Sequence, residues 1–179
     1  VPDDDGVYRS RSFEECLRHL RTCARDRGFM ALHGRVGSGK SNLLNIFLDD
    51  LRADGRTRVV TIQNIWCEEL TAGSILRACI VDLQGEDARM PGSIEGMSRR
   101  AASLVRAAVS RNRRVALLVD RAQSLHANAF RMLKRLREVC ADERGRPALA
   151  VILAGQAGGG CSPDLLKKLS ADDLQEVAL

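Results

Sequence analysis

The sequence predicts an α/β fold of three layers, a mostly parallel sheet flanked by helices. Three observations carry that reading. Short apolar and β-branched runs alternate along the chain with helical patterns, the order that builds a parallel sheet through crossover helices. Residues 34–41, Gly-Arg-Val-Gly-Ser-Gly-Lys-Ser, form a glycine-rich turn between an apolar run and a helical pattern. Val115 to Asp120 is a continuous apolar run ending in a carboxylate, as a strand buried on both faces does.

Each element has a local reason. Residues 12–26 predict a helix, with Phe13, Cys16, Leu17, Leu20 and Cys23 on one face and Arg18, Arg21 and Arg25 on another. Phe29 to His33 make the first strand. The glycine turn follows, then a helix to about residue 53, ended by the Asp54-Gly55 turn. Arg58 to Gln63 is β-branched and makes the second strand. Helices are expected over about 70–84 and 94–111, separated by a loop containing Pro91. After the 115–120 strand comes a helix over about 124–141. Pro147 to Leu153 make a buried strand that ends at Ala154-Gly155-Gln156. Residues 157–163 form a glycine-rich loop, 164–174 a short helix, and Glu176 to Leu179 the start of a last strand.

The chemistry concentrates at the glycine turn. It fits the P-loop pattern G-x-x-x-x-G-K-[ST] in full. Glycines let backbone N–H groups close around a phosphate, and the following helix adds its positive dipole end. Gly34, Arg35, Val36, Gly37, Ser38, Gly39, Lys40, Ser41 and Asn42 are therefore the expected phosphate-binding residues. Lys40 would reach the β- and γ-phosphates, and Ser41 would ligate Mg²⁺. Asp120, 80 residues beyond Lys40, stands where such proteins hold Mg²⁺ with a strand-end carboxylate. No N-K-x-D guanine-reading motif is present, so the expected cofactors are ATP and Mg²⁺.

Bulk composition narrows the rest. The chain has 179 residues, enough for one domain with a real core. Aromatics are only 3%, which argues against a base-stacking platform. No apolar run approaches the ~20 residues needed to span a bilayer, and no signal-peptide pattern opens the chain. It begins at Val1, as a fragment would. The formal charge of +5 is compatible with a polyanionic partner or with a simple arginine bias. Cys16, Cys23, Cys67, Cys79, Cys140 and Cys161 form no C-x-x-C, and no histidine stands at zinc-ligand spacing. Reduced thiols in a cytoplasmic protein are the expectation.

The motifs resemble a known family. The run LLVDRAQSL around Asp120 looks like the acidic strand end of AAA+ ATPases. VTIQN at 60–64 and LAGQ at 153–156 resemble the group that includes the transposition regulators MuB, TniB and TnsC and the ExeA-like secretion ATPases. The resemblance covers about residues 10–156. It implies an ASCE-type AAA+ core, with 1–27 an N-terminal helical segment, 157–179 a truncated tail and no lid domain. Strand 58–63 would be the one inserted between the P-loop strand and the acidic strand. It implies Lys40, Asp120 and Gln156 as catalytic residues, Gln156 being the sensor-1 candidate. The implied function is nucleotide-dependent assembly on double-stranded DNA in transposition target selection, as a homo-oligomer or with another AAA+ subunit, and with a transposase as a further partner. The alternatives are a secretion-associated ATPase and a hydrolysis-deficient scaffold for an active homologue.

Two departures bear on hydrolysis. The family places a glutamate after the acidic-strand aspartate, and here that position is Arg121. A guanidinium cannot accept a proton. Arginine fingers follow the sensor-1 strand in this family, yet no arginine occurs from Pro147 to Leu179, where only Lys167 and Lys168 are cationic. Glu68 and Glu69, after the second strand and expected beside the P-loop strand, are substitutes for the base; solvated carboxylates at a helix start are the plainer alternative. Basic sets at Arg131, Lys134, Arg135 and Arg137, at Arg99, Arg100 and Arg106, and at Arg111, Arg113 and Arg114 are candidate DNA contacts.

Overall fold

The computed structural model describes residues 11–62, 70–141, 145–156 and 174–179. Helix α1, Arg11–Asp26, buries Phe13, Cys16, Leu17, Leu20, Cys23 and Ala24 along one stripe. Strand β1 is Phe29–Gly34 and helix α2 is Lys40–Asp54. Helix α2 ends at Gly55, whose φ of 62° lets its N–H turn back to the Arg52 carbonyl. Strand β2 is Thr57–Ile62. Helix α3, Ala72–Gln84, starts at a capping box between Thr71 and Ser74. Helix α4, Ile94–Ser110, is capped by the Ser93 hydroxyl, which accepts from the Gly96 N–H.

Strand β3 is Arg114–Val119, and a single 3₁₀ turn covers Ala122–Ser124. Helix α5 begins only at Ala127 and runs to Val139. The helix expected over 124–141 is therefore shorter at its start: His126 caps it, its Nδ1 accepting from the Asn128 N–H at 3.2 Å. Strand β4 is Leu149–Gln156 and β5 is Leu174–Ala178. The helix expected over 164–174 lies outside the described residues except at its last position, Leu174, which opens β5.

All pairings are parallel, in the order β2-β3-β4-β1-β5. One expectation is corrected here. The strand between the P-loop strand β1 and the acidic strand β3 is β4, while β2 lies at the sheet edge beside β3. Gln63 to Glu69 lie outside the described residues, but the strand that leads to them is three positions from β1.

Side-chain alternation separates the two cores. Val115, Leu117 and Val119 face α3, α4 and α5, together with Val60, Val151 and Leu153. Ala116 and Leu118 face α1 and α2, together with Met30, Leu32, Ala150, Ile152 and Ala154. Each buried leucine contributes roughly 1.5–3 kcal/mol. Alanines at 116, 150 and 154 leave room for Phe47, Leu43 and Leu17 of the covering helices. Burial also pushes the Cys23 and Cys79 thiols up to about 12 and Cys140 to about 11, so these three stay protonated at neutral pH. Among the described residues no helix is long and apolar enough to cross a membrane.

Candidate nucleotide site

Parallel strands put all their C-terminal ends at one pole, and the helices that follow start there. That pole holds a cavity of about 480 Å³ outside the ends of β1, β3 and β4. Its walls are the P-loop from Val36 to Asn42, Asp120 and Arg121 after β3, Gln123 of the 3₁₀ turn, and Gly155-Gln156 at the end of β4. Residues dispersed over 36–156 are thus brought together.

The P-loop is shaped by three glycines with different tasks. Gly37 and Gly39 have φ of 80° and 85°, a left-handed backbone that a side chain would strain. Gly34 has ordinary φ, but a Cβ there would lie 2.6 Å from Ser38 Oγ and 3.2 Å from the Leu179 carbonyl. Lys40 Nζ donates to the Gly34 carbonyl at 2.8 Å, the Arg35 carbonyl at 2.6 Å and Ser38 Oγ at 3.3 Å. Gly34 and Arg35 accordingly hold the lysine rather than line the cavity. Val36, at the loop tip, is 80% exposed. Ser41 and Asn42 occupy the first turn of α2, where backbone N–H groups have no intrahelical partner. We expect Gly34→Ala to weaken ATP binding about tenfold, a 1.4 kcal/mol cost of opening the loop. Calorimetric titration checks this, and unchanged affinity would show that the loop accommodates the methyl.

Asp120 follows β3 and is half-buried; its N–H donates to the Ile62 carbonyl at 3.2 Å. Its Oδ1 accepts from the Arg121 N–H at 2.8 Å. Arg121 is exposed and left-handed, with φ of 54° and ψ of 45°. Asp120 is the sole carboxylate among the described residues lining the cavity. A hydroxyl at Ser41 and one carboxylate match Mg²⁺, which keeps waters and phosphate oxygens in its shell and needs no all-protein cage.

Gln123 is a site residue that motif reading quoted without assigning a role. Its Oε1 accepts from the Gln156 N–H at 3.3 Å and so ties the acidic turn to the end of β4. A Cβ at position 155 would stand 3.3 Å from that oxygen, so a side chain there would press on the Gln123 amide. The glutamine two residues before Leu125, in the run DRAQSL, was the available signal. Leu70 pairs with Leu125, its N–H donating to the Ser124 carbonyl at 2.7 Å. Glu68 and Glu69 lie outside the described residues.

Most candidate DNA-contact arginines on helices are engaged within the fold. Arg137 is one: Nη2 donates to the Arg27 carbonyl at 2.8 Å, Nε to the Leu149 carbonyl at 3.3 Å, and its guanidinium lies 5.8 Å over the Phe29 ring. Arg100 donates to Gln84 Oε1 and Arg106 to the Val139 carbonyl. On α5, Arg131 and Arg135 are exposed while Lys134 is half-buried.

A glycine loop closed on a lysine at a helix start, facing an acidic strand end across a cleft, defines a P-loop nucleotide-binding α/β domain. Residues 21–159 match the AAA domain family, and the chain belongs to it. No curated protein matches the chain. Among solved structures it is similar to the ORC2 protein of Aeropyrum pernix in ADPNP-ADP complexes, at 16% identity and a TM-score of 0.66, covering 98% of this chain and 50% of that one. It is similar to Cdc6p of Pyrobaculum aerophilum, at 19% identity and a TM-score of 0.66, covering 96% of this chain and 46% of that one. It is also similar to Drosophila ORC bound to DNA, at 19% identity and a TM-score of 0.66, covering 92% and 42%. The chain spans about half the length of these proteins, and the likeness is one of fold.

Proposed function

We propose that this chain is an ATP-dependent switch that assembles on double-stranded DNA and hydrolyses ATP slowly. The observation that carries the reading is the composition of the cavity: a complete P-loop faces Asp120 and Gln156, with Arg121 where a water-activating carboxylate is expected. Lys40 and the N–H groups of 36–42 would bind the phosphates, and Ser41 and Asp120 would share Mg²⁺. Gln156, held by Gln123, would sense the γ-phosphate. Solved relatives of the same fold carry ADPNP and ADP, or are bound to DNA, which supports both halves of the proposal. The narrower reading, a transposition target-selection regulator working in the cytoplasm with a transposase, rests on VTIQN and LAGQ. Arg121 favours one second reading, a nucleotide-binding scaffold that completes the site of an active AAA+ partner.

Fluorescence anisotropy with a labelled 30-bp duplex, in ATP, in ADP and without nucleotide, tests the proposal. ATP is expected to tighten binding about tenfold or more over ADP, a coupling of at least 1.4 kcal/mol. Equal affinity in all three conditions would reject the switch. Weak DNA binding with stoichiometric capture of an active AAA+ subunit would establish the scaffold.

A further inference from the structure

A second, larger cleft of about 680 Å³ lies at the opposite pole, where the strands begin and the helices end. It is lined by Arg25 in the last turn of α1 and Arg27 just after it, Arg56 before β2, Arg113 before β3 and Arg114 at its start, and Arg146 before β4. Six guanidinium groups therefore converge from four separate chain segments. Among the described residues the one carboxylate in the lining is Asp26, paired with Arg25 at 3.1 Å. Among the described residues no carboxylate pairs with Arg27, Arg56, Arg113 or Arg114.

The backbone beneath these side chains is pinned. The Arg114 N–H donates to the Arg56 carbonyl at 2.9 Å, which sets those two segments side by side. Arg137 holds the Arg27 carbonyl. Asn112, with φ of 57°, turns the chain out of α4, and the Arg113 N–H closes that turn on the Ala108 carbonyl at 3.0 Å. The helices that end here offer partial negative charge, about half an elementary charge each. That offsets only part of the cationic excess.

We propose that this cleft is the contact surface for the sugar–phosphate backbone of double-stranded DNA, on the face opposite the nucleotide cavity. The proposal rests on the DNA-binding reading above. One or two guanidinium forks suffice for a single phosphate. Four of the six, Arg27, Arg56, Arg113 and Arg114, spread over one open cleft without a carboxylate partner among the described residues; that matches a ligand with many closely spaced phosphates, and duplex DNA carries one charge per about 1.7 Å of axis. Guanidinium groups gathered in a cleft of this kind suit contacts to phosphate oxygens, which position a duplex without reading its sequence. The exposed cations of α5, Arg131 and Arg135, are only two.

The test is Arg56→Gln/Arg113→Gln/Arg114→Gln in the full chain, with the 30-bp duplex and ATP across 50–300 mM NaCl. At ~0.9 per phosphate contact, the log K against log salt slope should flatten by about 2–3, and affinity at 150 mM should fall about 100-fold. The single variants Arg56→Gln and Arg113→Gln, both exposed, should each remove about 0.9 from the slope. ATP affinity should be unchanged, because the nucleotide cavity is at the other pole. An unaltered slope overturns the placement, and an Arg131→Gln/Arg135→Gln variant that flattens it instead would move the DNA to α5 with the DNA-binding reading intact. If the unmodified protein binds no duplex in any nucleotide state, that reading fails and the placement with it. An unaltered slope with a lowered Tm would assign the arginines to offsetting helix ends. Loss of ATP-driven self-association without DNA, measured by light scattering, with the slope retained, would assign them to the nucleotide of a second copy.

Discussion

Arg121→Glu is expected to raise ATP hydrolysis by about 10² or more, because general-base help is typically worth 10²–10⁴ in rate. The unmodified chain should turn over far below the ~1 s⁻¹ low end of ordinary enzymes. Asp120 is the lone carboxylate among the described residues lining the cavity, and its Oδ1 already accepts from the Arg121 N–H. The new glutamate would inherit a left-handed backbone, but arginine bears the same strain, so stability should barely change. ATP affinity should not improve, since the carboxylate acts on water. An arginine finger, where one is supplied, contributes a further ~10³ or more. The increase should therefore be largest when a partner subunit supplies one. Phosphate release at saturating ATP is the measurement. Brisk turnover by the unmodified chain, abolished by Glu68→Gln or Glu69→Gln, would move the base to that segment. An Arg121→Glu variant that binds ATP, assembles normally and still shows no gain beside an active partner would also refute the assignment.

Lys40→Ala should remove most of the ATP-induced stabilisation. The ammonium is already aimed across the loop, held by the Gly34 and Arg35 carbonyls and by Ser38 Oγ. A γ-phosphate would compete for that ammonium through a charge-assisted bond, the strong kind. Truncating one partner of such a pair costs about 2–5 kcal/mol of binding, roughly 30-fold to several thousand-fold in Kd. With ATP at a hundred times Kd, the unmodified protein gains about 2.7 kcal/mol. For a domain of this size that is a Tm rise of about 5–10 °C. The variant should keep about a third of that rise at most at the same concentration, and almost none at the upper end of the affinity loss. Its stability without nucleotide should stay close to the original, since water can reach the largely exposed loop and replace the lost donor. Thermal melts with and without ATP check both halves. A variant that keeps the full ATP-dependent rise would place the phosphate elsewhere.

Much of this molecule was legible residue by residue. Helix and strand periods come from which side chains must leave water, and a period is a local property. The unbroken apolar run from Val115 to Val119 thus announced a strand buried on both faces, and the stripe from Phe13 to Cys23 announced α1. The P-loop was legible for the same reason. Its chemistry needs eight consecutive residues, and Gly37, Gly39, Lys40 and Ser41 carry their constraints in their own backbone and side chains.

Long-range pairing decided the rest. The apolar pattern of Thr57 to Ile62 suits either an edge or an inner strand, and only its pairing with β3 placed it at the edge, with β4 between β1 and β3. Gln123 acquired a task because the 3₁₀ turn meets the end of β4 at a glycine. Arg137, equivalent in sequence to its neighbours on α5, was drawn inward by carbonyls at the starts of β1 and β4. Arg27, Arg56, Arg114 and Arg146 are dispersed along the chain and make no motif. They meet because a parallel sheet collects every strand start, and every preceding helix end, at one pole. Sequence determines what each segment can become; the order in which strands pair determines which distant side chains share a surface.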